Sequence, residues 1–113
     1  MVEVLAGAGK EMLEALVATD ENAGYLGEAA LVEYHSPISM SGLVYYTTLI
    51  DENASCHLAL GRGLNSSPAG HPDLFNDSTI HIDFMIGTPD MKIVGTTEDG
   101  QEVEIFRDGD FAL

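Results

Sequence analysis

The run "STIHIDFMIG" (residues 78–87) alternates along its length. Successive side chains of an extended strand point to opposite faces, so Ile80, Ile82, Phe84 and Ile86 share one face while His81, Asp83 and Met85 share the other. The pattern predicts a strand with an apolar face for a core and a second face carrying a histidine and an acid two positions apart. Nearer the N-terminus, Val2 to Leu5 reads as a short strand. "GKEMLEALVA" then sets Met12, Leu13, Leu16 and Val17 at helical spacing beside Lys10, Glu11 and Glu14, which predicts an amphipathic helix. In "TDENAGYLG", Thr19 or Asp20 offers an N-cap for a short turn closed near Gly24 or Gly27. "EAALVEY" reads as a strand with Glu28 at its mouth, ended by a turn at "HSPIS", because proline restricts its predecessor and cannot donate to a ladder.

"GLVYYTTLIDENAS" places Leu43, Tyr46, Thr47 and Ile50 on a helical stripe, although its β-branched and aromatic content also fits a strand; the stripe favours a helix. "CHLALG" is a short apolar stretch ending in glycine, and residues 61–78, "GRGLNSSPAGHPDLFNDS", hold most of the loop formers and predict a surface loop. Two further alternating runs, "KIVGTT" and "EVEIF", are joined by "EDGQ", whose Asp99-Gly100 is a hairpin signal. Helices and strands mix without a βαβ rhythm or an internal repeat. The expected class is α+β, a mixed sheet with a few helices and a C-terminal β-hairpin.

Length and charge narrow the function. A chain of 113 residues with 45% hydrophobic content predicts one domain, 1–113, with a packed core. Nineteen acids against four bases (Lys10, Arg62, Lys92 and Arg107) give a net charge of −15, which repels nucleic acid phosphates and anionic headgroups. No nucleic acid or membrane partner is expected. Such acidity suits divalent cations or cationic peptides, but it is also the surface of a salt-adapted protein, and the scarcity of bases favours the latter. A single cysteine, Cys56, allows no internal disulfide and agrees with a reducing cytoplasm. No signal peptide opens the chain and no apolar run reaches the length of a membrane span, so a soluble, cytoplasmic protein is expected.

The strand at 80–87 raises the chemical question. Residues i and i+2 on one face lie roughly 7 Å apart, and burying an unpaired polar group costs several kcal/mol. His81 and Asp83 therefore need each other or a ligand: a structural pair tying down a sheet, or two metal ligands. His57, in "DENASCHLALG", reads by itself as a satisfied, semi-buried histidine. His35 and His71 sit in proline-containing turns and read as surface residues. Cys56 reads as a small buried residue, since no basic neighbour in sequence lowers its pKa. Glu28, His57, His81 and Asp83 all lie in short, otherwise apolar segments, and two imidazoles with two carboxylates suit a dinuclear hydrolase site. Spacing leaves their convergence open.

"LGEAALVEYHSPISMSGLVYYTTLIDENASCHLALGRG" and "NDSTIHIDFMIGTPDMKIVGTTEDGQEVEIFRDGDFA" closely resemble the C-terminal part of the metallo-aminopeptidases of the aminopeptidase T, aminopeptidase S and PepS family. The resemblance runs over nearly the whole chain and is carried by "LGE", "SPIS", "DENASCHLALG", "NDS" and "HIDFMIG". It implies a dinuclear site for cobalt, zinc or a similar divalent ion, with ligands at Glu28, His57, His81 and Asp83. It also implies a metal-bridged water as nucleophile, peptides with a free N-terminus as substrates, and a homodimer. In the family a further glutamate ligand comes from a segment preceding the position of Met1. A tyrosine implicated in catalysis follows the histidine in a stretch like "GRAY", where this sequence reads "GRGL" and has Leu64, and the loop before "HIDF" is shorter here. Tyr45 and Tyr46 are the nearest tyrosines in sequence. Two functions follow: the C-terminal catalytic-domain fragment of a metal-dependent aminopeptidase, or a non-catalytic, stand-alone metal-binding or dimerising remnant.

Overall fold

The computed structural model describes residues 1–64 and 72–112. The chain forms two compact units, the first made of Met1–Ala29 with Leu58–Phe84, the second of Ala30–His57 with Met85–Leu113. Helices and strands mix in the α+β manner expected.

In the first unit, α1 (Lys10–Val17) begins after Gly9, whose φ of 77° sets the chain's entry, and carries a Lys10–Glu14 ion pair at 3.6 Å on its outer face. Leu13, Leu16 and Val17 are half-buried and Met12 is exposed, so the predicted amphipathic face is covered only along one edge. Strands β1 (Leu26–Ala30), β2 (His57–Gly61) and β3 (His81–Met85) form a three-stranded sheet with β2 in the middle. The end of β2 bonds to the beginnings of both neighbours: Gly61 N–H donates to the Tyr25 carbonyl at 2.8 Å and Arg62 N–H to the Ile80 carbonyl at 2.7 Å. Both pairings are therefore antiparallel. Ala23, Ala59, Leu60 and Ser78 are buried in this unit, as are Gly24, Gly61 and Gly63.

Backbones approach closely where this sheet begins. A Cβ on Gly27 would run into the carbonyl of Gly61 and lie 2.7–2.8 Å from the carbonyl carbon and oxygen of Arg62, while Gly61 takes a φ of 90° against the Ile80 carbonyl. Only glycine fits either place.

The first unit corrects two readings. Val2 to Leu5 is not a strand; Val2 N–H donates to the Gly24 carbonyl at 2.9 Å, and no ladder follows from that bond among the described residues. The strand expected over "EAALVEY" begins two residues earlier and stops at Ala30, where the chain passes to the second unit.

In the second unit, the segment after β1 is anchored by other means: Val32 N–H donates to Sγ of Cys56 at 3.2 Å and that thiol donates to the Val32 carbonyl. "HSPIS" is a helix start rather than a plain turn. Pro37 opens α2 (Pro37–Ser41), Ser36 Oγ caps it by accepting from Ser39 N–H at 3.2 Å, and Gly42 closes it at φ 63°. The helix predicted over residues 42–55 is confined to α3 (Thr48–Asp51) and a 3-10 turn at Glu52–Ala54. Asp51 explains the shortfall, because its carboxylate accepts from Tyr45 N–H at 2.8 Å and Thr47 N–H at 3.2 Å, and Tyr46 between them is left-handed at φ 55°. Leu43, Val44 and Tyr46 are exposed, so no core rewards a helical stripe there.

The C-terminal hairpin is present and extends to a third strand. β4 (Ile93–Thr96) pairs antiparallel with β5 (Glu102–Arg107), and β5 with β6 (Asp110–Phe111). Gly100 turns the first corner at φ 84°, and Asp108 and Gly109 turn the second with φ of 49° and 81°. Phe106, fully buried, meets Phe111 edge-on at 4.4 Å between ring centroids.

Candidate metal centre

β1 presents Glu28 one residue past the glycine that admits close approach, and β3 presents His81 at its first position and Asp83 two residues later, on the same face. The three side chains meet. Nε2 of His81 lies 3.1 Å from Oδ1 of Asp83 and 3.4 Å from Oε2 of Glu28, and one ligand atom from each residue falls within 4.8 Å of the others. The carboxylates are mostly covered, at 20% and 16% side-chain exposure, and the ring is 34% exposed, so the cluster opens toward solvent on the histidine's side.

The other ring nitrogen fixes the imidazole. Nδ1 of His81 lies 2.7 Å from the carbonyl oxygen of Arg62, and since a carbonyl only accepts, Nδ1 carries a proton and Nε2 faces the two acids. Partial burial opposes charging the ring, but the Arg62 carbonyl, the charges of Asp83 and Glu28, and the Asp83 hydrogen bond outweigh it and hold the pKa of His81 above the ordinary histidine value.

Such a group fits a divalent cation. With metal bonds of about 2.0–2.2 Å, two donors of one ion stand roughly 3–4 Å apart, which is the spacing from Nε2 to each carboxylate here. An imidazole with two carboxylates is a donor set for zinc, cobalt or manganese, and a carbonyl behind the histidine is the usual orienting partner.

His57 belongs to the second unit, at the first position of β2, and is 3% exposed. Its Nδ1 donates to the Ser55 carbonyl at 3.0 Å, the same kind of orienting bond that His81 has. His35 is exposed, as expected, though paired: Nδ1 lies 2.5 Å from Oδ2 of Asp110. The His35 backbone N–H and ring together pull the pKa of Asp110 below the usual carboxylate range. Cys56 is buried at 2% exposure, bonded to the Val32 backbone, as a small core residue. Leu64 is half exposed and Tyr46 is 92% exposed; His71 lies outside the described residues.

Arg62 is a supporting residue of the site that sequence reasoning missed; it acts through a main-chain carbonyl, which no side-chain pattern reveals.

The sequence matches the thermophilic metalloprotease family M29 over residues 1–111. It is 46% identical to aminopeptidase 2 of Geobacillus stearothermophilus across the whole of this chain and 30% of that protein. Aminopeptidase T of Thermus thermophilus is 43% identical over 96% of this chain and 28% of its own length. In structure the chain is similar to wild-type AmpT from Thermus thermophilus, with a TM-score of 0.84 and 40% identity over 99% of this chain and 29% of that one. The chain belongs to the M29 metalloprotease family, whose matched relatives are aminopeptidases. It spans about 30% of the length of the curated relatives it matches.

Proposed function

We propose that this chain is the metal-binding, C-terminal catalytic portion of a metal-dependent aminopeptidase, which removes N-terminal residues from peptides. The observation that carries the reading is the convergence of Glu28 and Asp83 on Nε2 of His81 while Arg62 holds the opposite ring nitrogen. Glu28, His57, His81 and Asp83 are the proposed ligands, for two divalent ions such as cobalt or zinc. Bound there, such ions would supply Lewis-acid activation of water and electrostatic stabilisation of developing negative charge. The chain's own contribution is positional. Arg62 and Ser55 set the proton positions of the two imidazoles, and Glu28 and Asp83 supply the negative charge that holds the cations. On this reading substrates carry a free N-terminus, the enzyme works as a cytoplasmic homodimer, and its net charge of −15 keeps nucleic acid and anionic membranes away.

Leu64 favours a second reading, a stand-alone metal-binding or dimerising remnant without catalysis, because it offers no hydroxyl where the family resemblance places a tyrosine. Metal content of the purified chain, measured beside hydrolysis of a dipeptide and its N-acetylated counterpart with cobalt or zinc, separates the two. Metal uptake with only poor cleavage, confined to the free-amine substrate, is the expected result. Metal uptake with no cleavage at all selects the second reading, and no uptake overturns the first and leaves only a dimerising remnant.

A further inference from the structure

Between β1 and β3 lies a whole strand, yet the residues entering these two outer strands are joined directly. The joint is Asp20. Its Oδ2 accepts from Ser78 Oγ at 3.0 Å, Thr79 N–H at 2.9 Å and Thr79 Oγ1 at 2.8 Å, while Oδ1 accepts from Asn22 N–H at 3.0 Å. Four donors converge on one carboxylate, a set that only the ionised form satisfies completely.

The same joint reaches the end of β2. Asn76 Nδ2 donates to the carbonyls of Asn22 at 3.0 Å and Gly61 at 2.6 Å, and Asn22 Nδ2 donates to the Asp77 carbonyl at 2.9 Å. Ser78 Oγ accepts from Ile80 N–H, the Ile80 carbonyl accepts from Arg62 N–H, and the Arg62 carbonyl accepts from His81. A continuous chain of bonds thus runs from the turn before β1, which leads to Glu28, through Thr79, two residues before His81, to the carbonyl that orients the His81 ring.

We propose that Asp20 is a positioning residue of the metal centre: its carboxylate clasps the turn before β1 to the entry of β3 and fixes where Glu28, His81 and Asp83 stand relative to one another. The proposal rests on the metal-centre reading above. Ligand geometry, rather than ligand identity, is what Asp20 governs.

The test is a cobalt titration of the chain followed through the visible d–d absorption, with folding checked by circular dichroism, on wild type, Asp20→Asn, Thr79→Val and Glu21→Gln. Asp20→Asn keeps the shape but removes the charge and returns an N–H toward donors; an affinity loss of about tenfold with an altered d–d band is expected, the size seen for groups supporting metal ligands. Thr79→Val, which removes one clasp donor, shifts affinity the same way by less. Glu21→Gln loses an equal charge in the same turn without touching the clasp and leaves both band and affinity unchanged. Folded Asp20→Asn with the wild-type band and affinity overturns the positioning role alone, as does an equal loss in Glu21→Gln. Should Asp20→Asn fail to fold, Thr79→Val decides: a wild-type band and affinity there overturn the role. Absence of any cobalt spectrum in wild type overturns the metal-centre reading and this inference with it.

Discussion

Nδ1 of His81 donates to the carbonyl of Arg62 at 2.7 Å, and this one bond aims Nε2 at Asp83 and Glu28. A metal-bound His81 must therefore keep its proton on Nδ1. Long-range proton–nitrogen spectra of the zinc-loaded chain are expected to show that tautomer, and a proton found on Nε2 under zinc would contradict the ligand assignment.

Glu28 and Asp83 crowd one imidazole, so a cation that binds there stabilises the folded chain by mass action. At a free concentration roughly 100 times Kd the gain is about 2.7 kcal/mol. His81→Ala combined with Asp83→Ala is expected to abolish the cobalt-dependent rise in melting temperature while leaving the metal-free protein folded. A full rise in the double variant would place the cation elsewhere.

Asp20 gives the fold an acid limit. Its four donors, led by the Thr79 backbone N–H, lower its pKa to about 2 from an ordinary value of 3.8. A carboxylate whose pKa is depressed by folding contributes stability that is complete above the unfolded value and is lost as pH falls through the folded one. Urea midpoints should fall between about pH 5 and about pH 2 in wild type, and fall less steeply in Asp20→Asn. Parallel curves for the two proteins would remove Asp20 from the acid response.

Gly27 tolerates no side chain. Even one methyl meets the carbonyls of Gly61 and Arg62, so relief requires β1 and β2 to part beside Glu28. Gly27→Ala is expected to destabilise the chain by roughly 1–3 kcal/mol, the usual cost of overpacking, and to weaken cobalt binding as well. An unchanged melting temperature would show that the strands part freely.

Much of this was legible in the sequence where a local rule had no competitor. The alternation of residues 80–87 places His81 and Asp83 on one face of β3, and Asp99-Gly100 marks the hairpin of β4 and β5. Asp108-Gly109 is the same signal, but the strand it leads into is only two residues long and leaves no alternation to read. Spacing did not reveal that Glu28 reaches His81, since the approach crosses an intervening strand; the family resemblance carried that expectation. Residues 43–47 misled because Asp51 ties down the backbone ahead of it and Tyr46 turns left-handed, both invisible to a periodicity of apolar positions. The Arg62 carbonyl was beyond reach altogether, because every residue except its geometry would have looked alike.

The stitching around β3 has a consequence for length variation. Gly63 N–H donates to the Asn76 carbonyl at 2.9 Å, and the Asn76 side chain returns to the Gly61 carbonyl. The two ends of the intervening segment are thus held to each other before the strand begins. Added residues there enlarge a loop that is already closed at its base, at about 0.6 kcal/mol for each doubling of its length, and the register of His81 does not change. The closed base at Gly63 and Asn76 is thus a place where a reporter can be spliced in while the ligand strand stays where it is.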